Sequence, residues 1–172
     1  MSRHLLVAGI GNIFLGDDGF GPEVARRLES EDLGPEVRVA DFGIRGVHLA
    51  YELLEGYDAL VLVDAVDMGE PPGTLAVIEP EGGTLLRTGE ESPVLDAHTM
   101  SPELVLATVA RLGGSLSRVF LVGCQPASLE ERIGLSPEVE AAAREAAALC
   151  RSVVSDLLQP AGKGASKWSD VS

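Results

Sequence analysis

The sequence has little positive charge. Only 13 of its 172 residues are Lys or Arg, against 27 that are Asp or Glu, and the formal net charge at pH 7 is −14. Nucleic acids are bound through a basic face, so this composition argues against a nucleic-acid partner and permits a cation or a basic protein. The acidic residues are spread along the chain, and we expect most of them to form an ordinary solvated surface.

Cysteines and long apolar segments are also scarce. Cys124 and Cys150 are not part of a C-x-x-C pair, so neither a disulfide framework nor a zinc knuckle is predicted. Two isolated thiols fit a reducing compartment. No apolar run approaches the ~20 residues of a membrane-spanning helix, and the first residues do not resemble a signal peptide. We therefore expect a cytoplasmic protein without a membrane partner.

What the chain does have is a regular alternation of strand and helix patterns. Short apolar and β-branched runs predict strands, and apolar residues at helical spacing predict helices. We expect strands at residues 4–10, 36–42, 58–66, 74–78 and 118–124, and helices at 21–31, 47–55, 101–112 and 136–158. The order β-α-β-α-β-β-α-β-α predicts an α/β fold, with a mostly parallel twisted sheet of about five strands and helices on both faces.

The length of the chain and its 45% apolar content suit one domain. We expect this domain to span residues 1–158 and the tail, 159–172, to be disordered, because the tail is rich in Pro, Gly, Lys and Ser. Residues 79–96 have little periodicity and are expected to form a long surface loop. Loops of this length are often functional, and this one leads to His98.

A glycine-rich stretch, GIGNIFLGDDGFG at residues 9–21, stands between the first strand and the first helix. It is not a dinucleotide-binding fingerprint, because Phe14 occupies the position of the third glycine, and not a phosphate-binding loop, because Asp17 replaces the lysine. The adjacent carboxylates of Asp17 and Asp18 would repel a phosphate and suit a cation better. The alternative is that both acids only cap the helix that follows.

Three polar side chains fall at strand ends or at the end of the long loop. Asp18 follows the first strand, Asp64 ends the most apolar strand, and His98 precedes a helix. Ligands bind at the carboxyl ends of the strands in an open parallel sheet, so these residues form a candidate divalent-metal site, and the imidazole favours zinc, nickel or copper over calcium. The alternatives are that Asp64 forms a turn and that His98 is an ordinary loop residue.

Several motifs together resemble the hydrogenase maturation endopeptidases, which process the large subunit of [NiFe] hydrogenases. They are GIGNIFLGDDGFG, DFGIRG, LVDAV, DAHTMSPE and VGCQPASLEERIGLSPEV, in this order over residues 4–155. The resemblance implies an endopeptidase that removes a C-terminal extension from the precursor of the large subunit after nickel insertion. It also implies that the protease recognises nickel held by its substrate.

The resemblance implies metal contacts at Asp18, Asp64 and His98, the same residues that the strand ends indicate. Two positions depart from the family pattern. Asp18 stands where the family often has glutamate, which is one methylene longer. The motif DFGIRG has Ile44 in place of a threonine but retains Asp41, for which a catalytic or substrate-orienting role is implied. The alternative for Asp41 is a capping acid at a strand end.

Two other functions remain open from the sequence. A non-catalytic nickel-binding chaperone would use the same three metal contacts, and a different hydrolase acting on a small molecule could use residues 79–96 as a lid. For the endopeptidase we expect a monomer whose partner is the precursor of the hydrogenase large subunit.

Overall fold

The computed structural model describes residues 3–79, 102–114 and 116–159, with only the backbone for 102–106. Their strands form one five-stranded sheet in the order β2-β1-β3-β5-β4, in which β4 runs antiparallel to β5 and the other neighbours are parallel. This confirms the predicted fold class and places the short strand β4 at one side of the sheet. The strands are β1 (Leu5–Ile10), β2 (Val37–Gly43), β3 (Ala59–Ala65), β4 (Leu75–Ile78) and β5 (Arg118–Cys124).

Helices cover both faces of the sheet, as expected. The four α-helices are α1 (Phe20–Glu29), α2 (Gly46–Leu53), α3 (Pro102–Arg111) and α4 (Pro137–Leu158). The first and the last pack on one face of the sheet, and the middle two pack on the other. Among the described residues, no helix is both long and apolar enough to cross a membrane.

The central strand β3 shows why this sequence forms a buried parallel sheet. Five of its residues, from Ala59 to Val63, are at most 3% exposed. Val61 and Val63 contact the core under α1 and α4, while Leu60 and Leu62 contact the core under α2 and α3. Successive side chains point to opposite faces, so a strand covered on both sides needs apolar residues at every position.

Glycines bring the first helix onto the ends of two strands. A Cβ at Gly21 would overlap the carbonyl oxygens of Ile10 and Val63, and a Cβ at Gly9 would overlap the backbone of Gly21. Only glycine permits an approach this close. The start of α1 therefore rests directly on the carboxyl ends of β1 and β3.

The carboxyl ends of the four parallel strands lie together at one end of the sheet. We call this end the carboxyl edge. Residues 11–19, 44–45, 66–74 and 125–136 follow those strands and form its loops. The observed elements begin and end within two residues of the predicted ones where the structure describes them. The predictions for the loop 79–96, apart from Glu79, and for the tail, apart from Gln159, lie outside the described residues.

Candidate functional site

Asp17 is a buried anchor at the carboxyl edge. Asp17 is fully buried, with 0% of its surface exposed to solvent. Its Oδ1 accepts a hydrogen bond from the backbone N–H of Ser136 at 2.7 Å, and its Oδ2 accepts from the N–H groups of Ala127 and Ser128 and from the Ser136 hydroxyl, at 2.8, 3.1 and 2.9 Å. Burial raises the pKa of this carboxyl, but the four hydrogen bonds outweigh it and hold the pKa below its usual value.

The anchor joins the loop after β1 to the loop after β5. The two loops also pair through their backbones: the Gly16 N–H donates to Arg132 O at 2.8 Å, and the Arg132 N–H donates to Phe14 O at 2.9 Å. Gly16 has a φ of +58°, and a Cβ there would lie 2.9 Å from Ser128 O. The loops are therefore packed more closely than any other residue at this position would permit.

Neither acid of the pair caps the following helix through a side-chain hydrogen bond. Residues Gly16–Gly19 form a 3-10 turn before α1, and neither the turn nor the helix receives a side-chain cap hydrogen bond. Asp17 binds the distant loop instead, so it is not free to hold a cation. The prediction that both acids of the pair face a cation is therefore wrong for Asp17.

Asp18, unlike Asp17, is half-buried and has a local hydrogen-bond partner. Its Oδ2 accepts a hydrogen bond from the N–H of Asn12 at 2.7 Å. The turn that carries Asp18 contacts β3. This contact brings Asp18 to the carboxyl end of the strand that carries Asp64.

Asp64 is the penultimate residue of β3 and is 8% exposed. By strand alternation it shares a face with Leu60 and Leu62, the α2 and α3 side of the sheet. It follows Val63, whose carbonyl lies against the start of α1. Asp18 and Asp64 therefore both lie at the carboxyl edge, and their joint contact with a metal ion stays a prediction.

Asp41 stands apart from Asp64. It pairs with Gly9, which in turn pairs with Val63, so its side chain leaves the sheet on the face opposite to that of Asp64. It is exposed, and its Oδ1 accepts a hydrogen bond from the N–H of Gly43 at 2.8 Å. This local bond favours the strand-end turn role, while the catalytic role stays a prediction.

His98 lies outside the described residues. Within the part of the chain that the structure describes, no three His, Cys, Asp or Glu side chains are grouped so as to hold a metal ion. Two of the three predicted contacts, Asp18 and Asp64, contribute hard carboxylate oxygens. An imidazole would add the borderline ligand that a nickel ion accepts.

Gln125 is a site residue that the sequence analysis missed. It is buried after β5, and its Oε1 accepts hydrogen bonds from the N–H groups of Met68 and Glu70 at 2.5 and 3.3 Å. Its Nε2 donates to Asp67 Oδ1 at 3.2 Å. The pKa of Asp67 is lowered by the Gly69 N–H and then by Gln125. Gln125 thus holds the loop that follows Asp64, and the spacing of the sequence contains no signal for this contact.

The cysteines are buried free thiols. Burial, and then the negative charge of Asp17, raise the pKa of Cys124 to about 12. A thiol that stays protonated at neutral pH is a poor nucleophile. Cys124 is therefore a small residue of the buried core.

The sheet and its helices define an α/β protein with a mostly parallel sheet, a class of fold in which ligands bind at the carboxyl ends of the strands. A model of the hydrogenase maturation proteases matches residues 22–152, which include Asp41, Asp64 and His98. The chain belongs to this family.

Relatives of known sequence support the assignment. The chain is 36% identical over 139 residues to the hydrogenase expression/formation protein HupD of Rhodobacter capsulatus, which covers 80% of this chain and 64% of that protein. It is 34% identical over 140 residues to the hydrogenase 2 maturation protease of Escherichia coli, covering 80% and 82%. The chain thus spans just under two thirds of the length of the first of these relatives.

Solved structures have the same fold. The hydrogenase maturating endopeptidase HybD from Escherichia coli superposes with a TM-score of 0.74 at 28% identity, covering 90% of this chain and 94% of that one. The hydrogenase 2 maturation peptidase from Thaumarchaeota archaeon SCGC_AB-539-E09 superposes with a TM-score of 0.68 at 34% identity, covering 88% and 98%.

Proposed function

We propose that this protein is an endopeptidase that removes the C-terminal extension from the precursor of a [NiFe] hydrogenase large subunit after nickel insertion. The observation that carries the proposal is its membership of the hydrogenase maturation protease family over residues 22–152. The likeness to HybD, which spans 90% of the chain, supports it. The carboxyl edge supplies the corresponding chemistry, since it holds two carboxylates where a parallel sheet binds its ligands.

In this proposal, Asp18, Asp64 and His98 contact the nickel that the precursor carries. Nickel is then part of the substrate, and its presence reports that the precursor is ready to be cut. A divalent ion can polarise a peptide carbonyl or lower the pKa of a bound water. The two carboxylates hold the ion, and with it the scissile bond, at the carboxyl edge. Asp41, which stands apart from Asp64 on β2, would orient the substrate.

The cellular location and the partners that we propose follow from the cysteines and the charge of the protein. The two cysteines are free thiols, which fits the reducing cytoplasm where metal insertion would precede cleavage. We propose that the protein acts there as a monomer, with neither a membrane nor a nucleic acid as partner. The acidic surface, with a net charge of −14, agrees with a basic or metal-bearing protein substrate.

The test uses nickel-loaded and nickel-free precursor of the large subunit from the same organism. After incubation with this protein, mass spectrometry should show the loss of the C-terminal extension from the nickel-loaded form alone. Equal trimming of both forms contradicts recognition of nickel. A stable complex with the loaded form, with its mass unchanged, would instead indicate a chaperone.

A matched pair of variants tests the site. Asp64→Asn replaces a buried carboxylate at the carboxyl edge, while Asp32→Asn replaces an exposed one whose Oδ1 accepts from Gly34 N–H at 3.0 Å, on the loop before β2. We expect trimming to be lost in the first variant and kept in the second. Full activity of Asp64→Asn, with circular dichroism unchanged, would remove Asp64 from the site.

A further inference from the structure

A cluster of exposed apolar side chains lies on the two loops that Asp17 joins. We define this loop patch by the side chains with exposed fractions of 48%, 60%, 51% and 74%: Ile13, Phe14, Leu129 and Ile133. The first two follow β1 and the other two follow β5, so the patch is assembled from segments more than 100 residues apart. Grouped apolar side chains that stay in solvent mark interaction surfaces.

The loop patch is pre-formed. Arg132, on the loop after β5, joins the two halves through its backbone. Its N–H donates to Phe14 O at 2.9 Å, and its carbonyl accepts from the Gly16 N–H at 2.8 Å. Beneath it, the buried Asp17 carboxylate accepts hydrogen bonds from both Ala127 and Ser128. A surface fixed in this way loses little conformational entropy when a partner binds.

The loop patch is continuous with the candidate site. The Asn12 side-chain oxygen accepts from the N–H of Phe14 at 2.9 Å, and the backbone N–H of the same Asn12 donates to Asp18 Oδ2 at 2.7 Å. One residue therefore separates the apolar surface from a carboxylate assigned to the nickel of the substrate. A partner seated on the patch would present its own metal centre to Asp18.

Charge indicates the kind of partner. The loop that carries Leu129 and Ile133 also has two exposed acids, Glu130 and Glu131, and one exposed base, Arg132. With Asp18 on the other loop, acids outnumber bases around the patch by three to one. The complementary surface is an apolar patch on a folded protein, flanked by basic side chains and by a bound cation. A small-molecule substrate would contact only the residues at the carboxyl edge and would leave this apolar patch exposed.

We propose that the loop patch is the docking surface for the folded body of the large-subunit precursor, beside its nickel centre and distinct from the extension that is removed. This proposal rests on the proposed function. The patch binds the body whether or not nickel is present, and the carboxylates then sense the ion.

A second apolar surface provides the control. The α2 stripe consists of four exposed side chains: Val47 and Tyr51 on α2, Ile44 before the helix and Leu54 directly after it. The buried residues of α2, such as Leu49 and Leu53, lie on another face of the helix. The α2 stripe starts at the carboxyl edge but runs along the helix away from it, over about 12 Å at 1.5 Å per residue. It has comparable exposed apolar character, and within the described residues no hydrogen bond links its four side chains to Asp18.

The experiment compares Phe14→Ser/Ile133→Ser with the control Val47→Ser/Tyr51→Ser. Nickel-free precursor is immobilised and the Kd of each protein is measured, while KM and kcat for trimming are measured on nickel-loaded precursor. We expect the loop-patch variant to bind about tenfold more weakly, with the same factor in KM and an unchanged kcat. The control should match the unaltered protein in both measurements.

The outcomes separate the two proposals. If the unaltered protein trims and the loop-patch variant binds and trims equally well, the docking surface is refuted and the endopeptidase stands. Equal losses in the loop-patch and control variants, or no binding of the unaltered protein to nickel-free precursor, also refute the docking surface. If the unaltered protein does not trim, the endopeptidase is refuted, and weaker binding of the loop-patch variant alone still supports the docking surface.

Discussion

Asp17 and Asp18 are adjacent in the chain but belong to two different regions of the molecule. Asp17 lies in a buried junction with Ala127, Ser128 and Ser136, where four donors point at its two oxygens. Asp18 lies at the open carboxyl edge, half-buried, beside the end of β3. The same side chain thus has a structural role in one place and a candidate ligand role in the next.

The difference between Asp17 and Asp18 shows how to distinguish a structural carboxylate from a candidate ligand. A carboxylate whose oxygens are filled by backbone donors is held in one geometry and has little capacity left for a ligand. A carboxylate that stays partly in solvent can exchange water for a metal ion. By this criterion Asp17 stabilises the loops and Asp18 is the candidate ligand, and four predictions test this division.

The largest effect is expected for Asp17→Asn. An amide presents an NH2 group toward donors, so at least one buried N–H of Ala127, Ser128 or Ser136 loses its acceptor. We expect the free energy of unfolding to fall by about 3–5 kcal/mol, because the lost bonds are charge-assisted and the orphaned donors remain buried. Urea unfolding measures it, with Asp32→Asn as control, which should change by less than about 0.5 kcal/mol.

Asp18→Asn should change stability little and reduce the trimming activity strongly. The amide oxygen can still accept from Asn12 N–H, so we expect a change of less than about 1 kcal/mol in the free energy of unfolding. Trimming of nickel-loaded precursor should fall about a hundredfold, equivalent to about 2.7 kcal/mol in the activation free energy, because an amide is a weaker ligand for a cation. A variant that is fully active but unstable would reverse the roles assigned to Asp17 and Asp18.

Gly16→Ala tests how closely the junction is packed. A Cβ at Gly16 meets Ser128 O at 2.9 Å, whereas Gly56, which also has a positive φ, has nothing within 4 Å of its Cβ position. Both substitutions carry the cost of a left-handed backbone, roughly 1 kcal/mol, and only the first adds a clash of about 1–2 kcal/mol. Equal losses of stability in thermal unfolding of Gly16→Ala and Gly56→Ala would show that the loops can separate.

The smallest expected effect is on the pH dependence of the free energy of unfolding. The folded protein lowers the pKa of Asp17 below its ordinary value of 3.8, so the ionised form favours folding. This contribution is fully present above the unfolded pKa and is lost as the pH falls from there through the folded pKa. Unfolding free energies measured from about pH 7 to about pH 3 should fall less steeply for Asp17→Asn than for the unaltered protein. Parallel profiles would contradict an ionised Asp17.

Much of the fold could be predicted from local patterns. The apolar run of β3 identifies a strand, because a strand that is buried on both faces is apolar at every position. The spacing in α1 and α4 identifies helices, because a helix that is buried on one face is apolar every three or four residues. The placement of Asp18 and Asp64 followed from the rule that parallel strands end at one edge. Their assignment as nickel contacts remains a prediction, as does that of His98.

Other features could not be predicted because they depend on residues far away. The donors to Asp17 lie more than 100 positions along the chain, and the pair of acids gives no local sign of which one turns inward. The side of the sheet on which Asp41 lies follows from its register with Gly9. The role of Gln125 depends on the loop at Met68 that it meets.

By itself, the sequence determined the class of fold, the strand ends that would carry acids and the family to which the chain belongs. These properties reside in periodicity and in contiguous motifs. Only the tertiary structure decided that Asp17 is an anchor, that Asp41 and Asp64 leave the sheet on opposite faces, and that the loops after β1 and β5 share one apolar surface. The physical reason is that a carboxylate, like an apolar side chain, acquires its role from the donors, charges and solvent around it, and folding assembles these from distant parts of the chain.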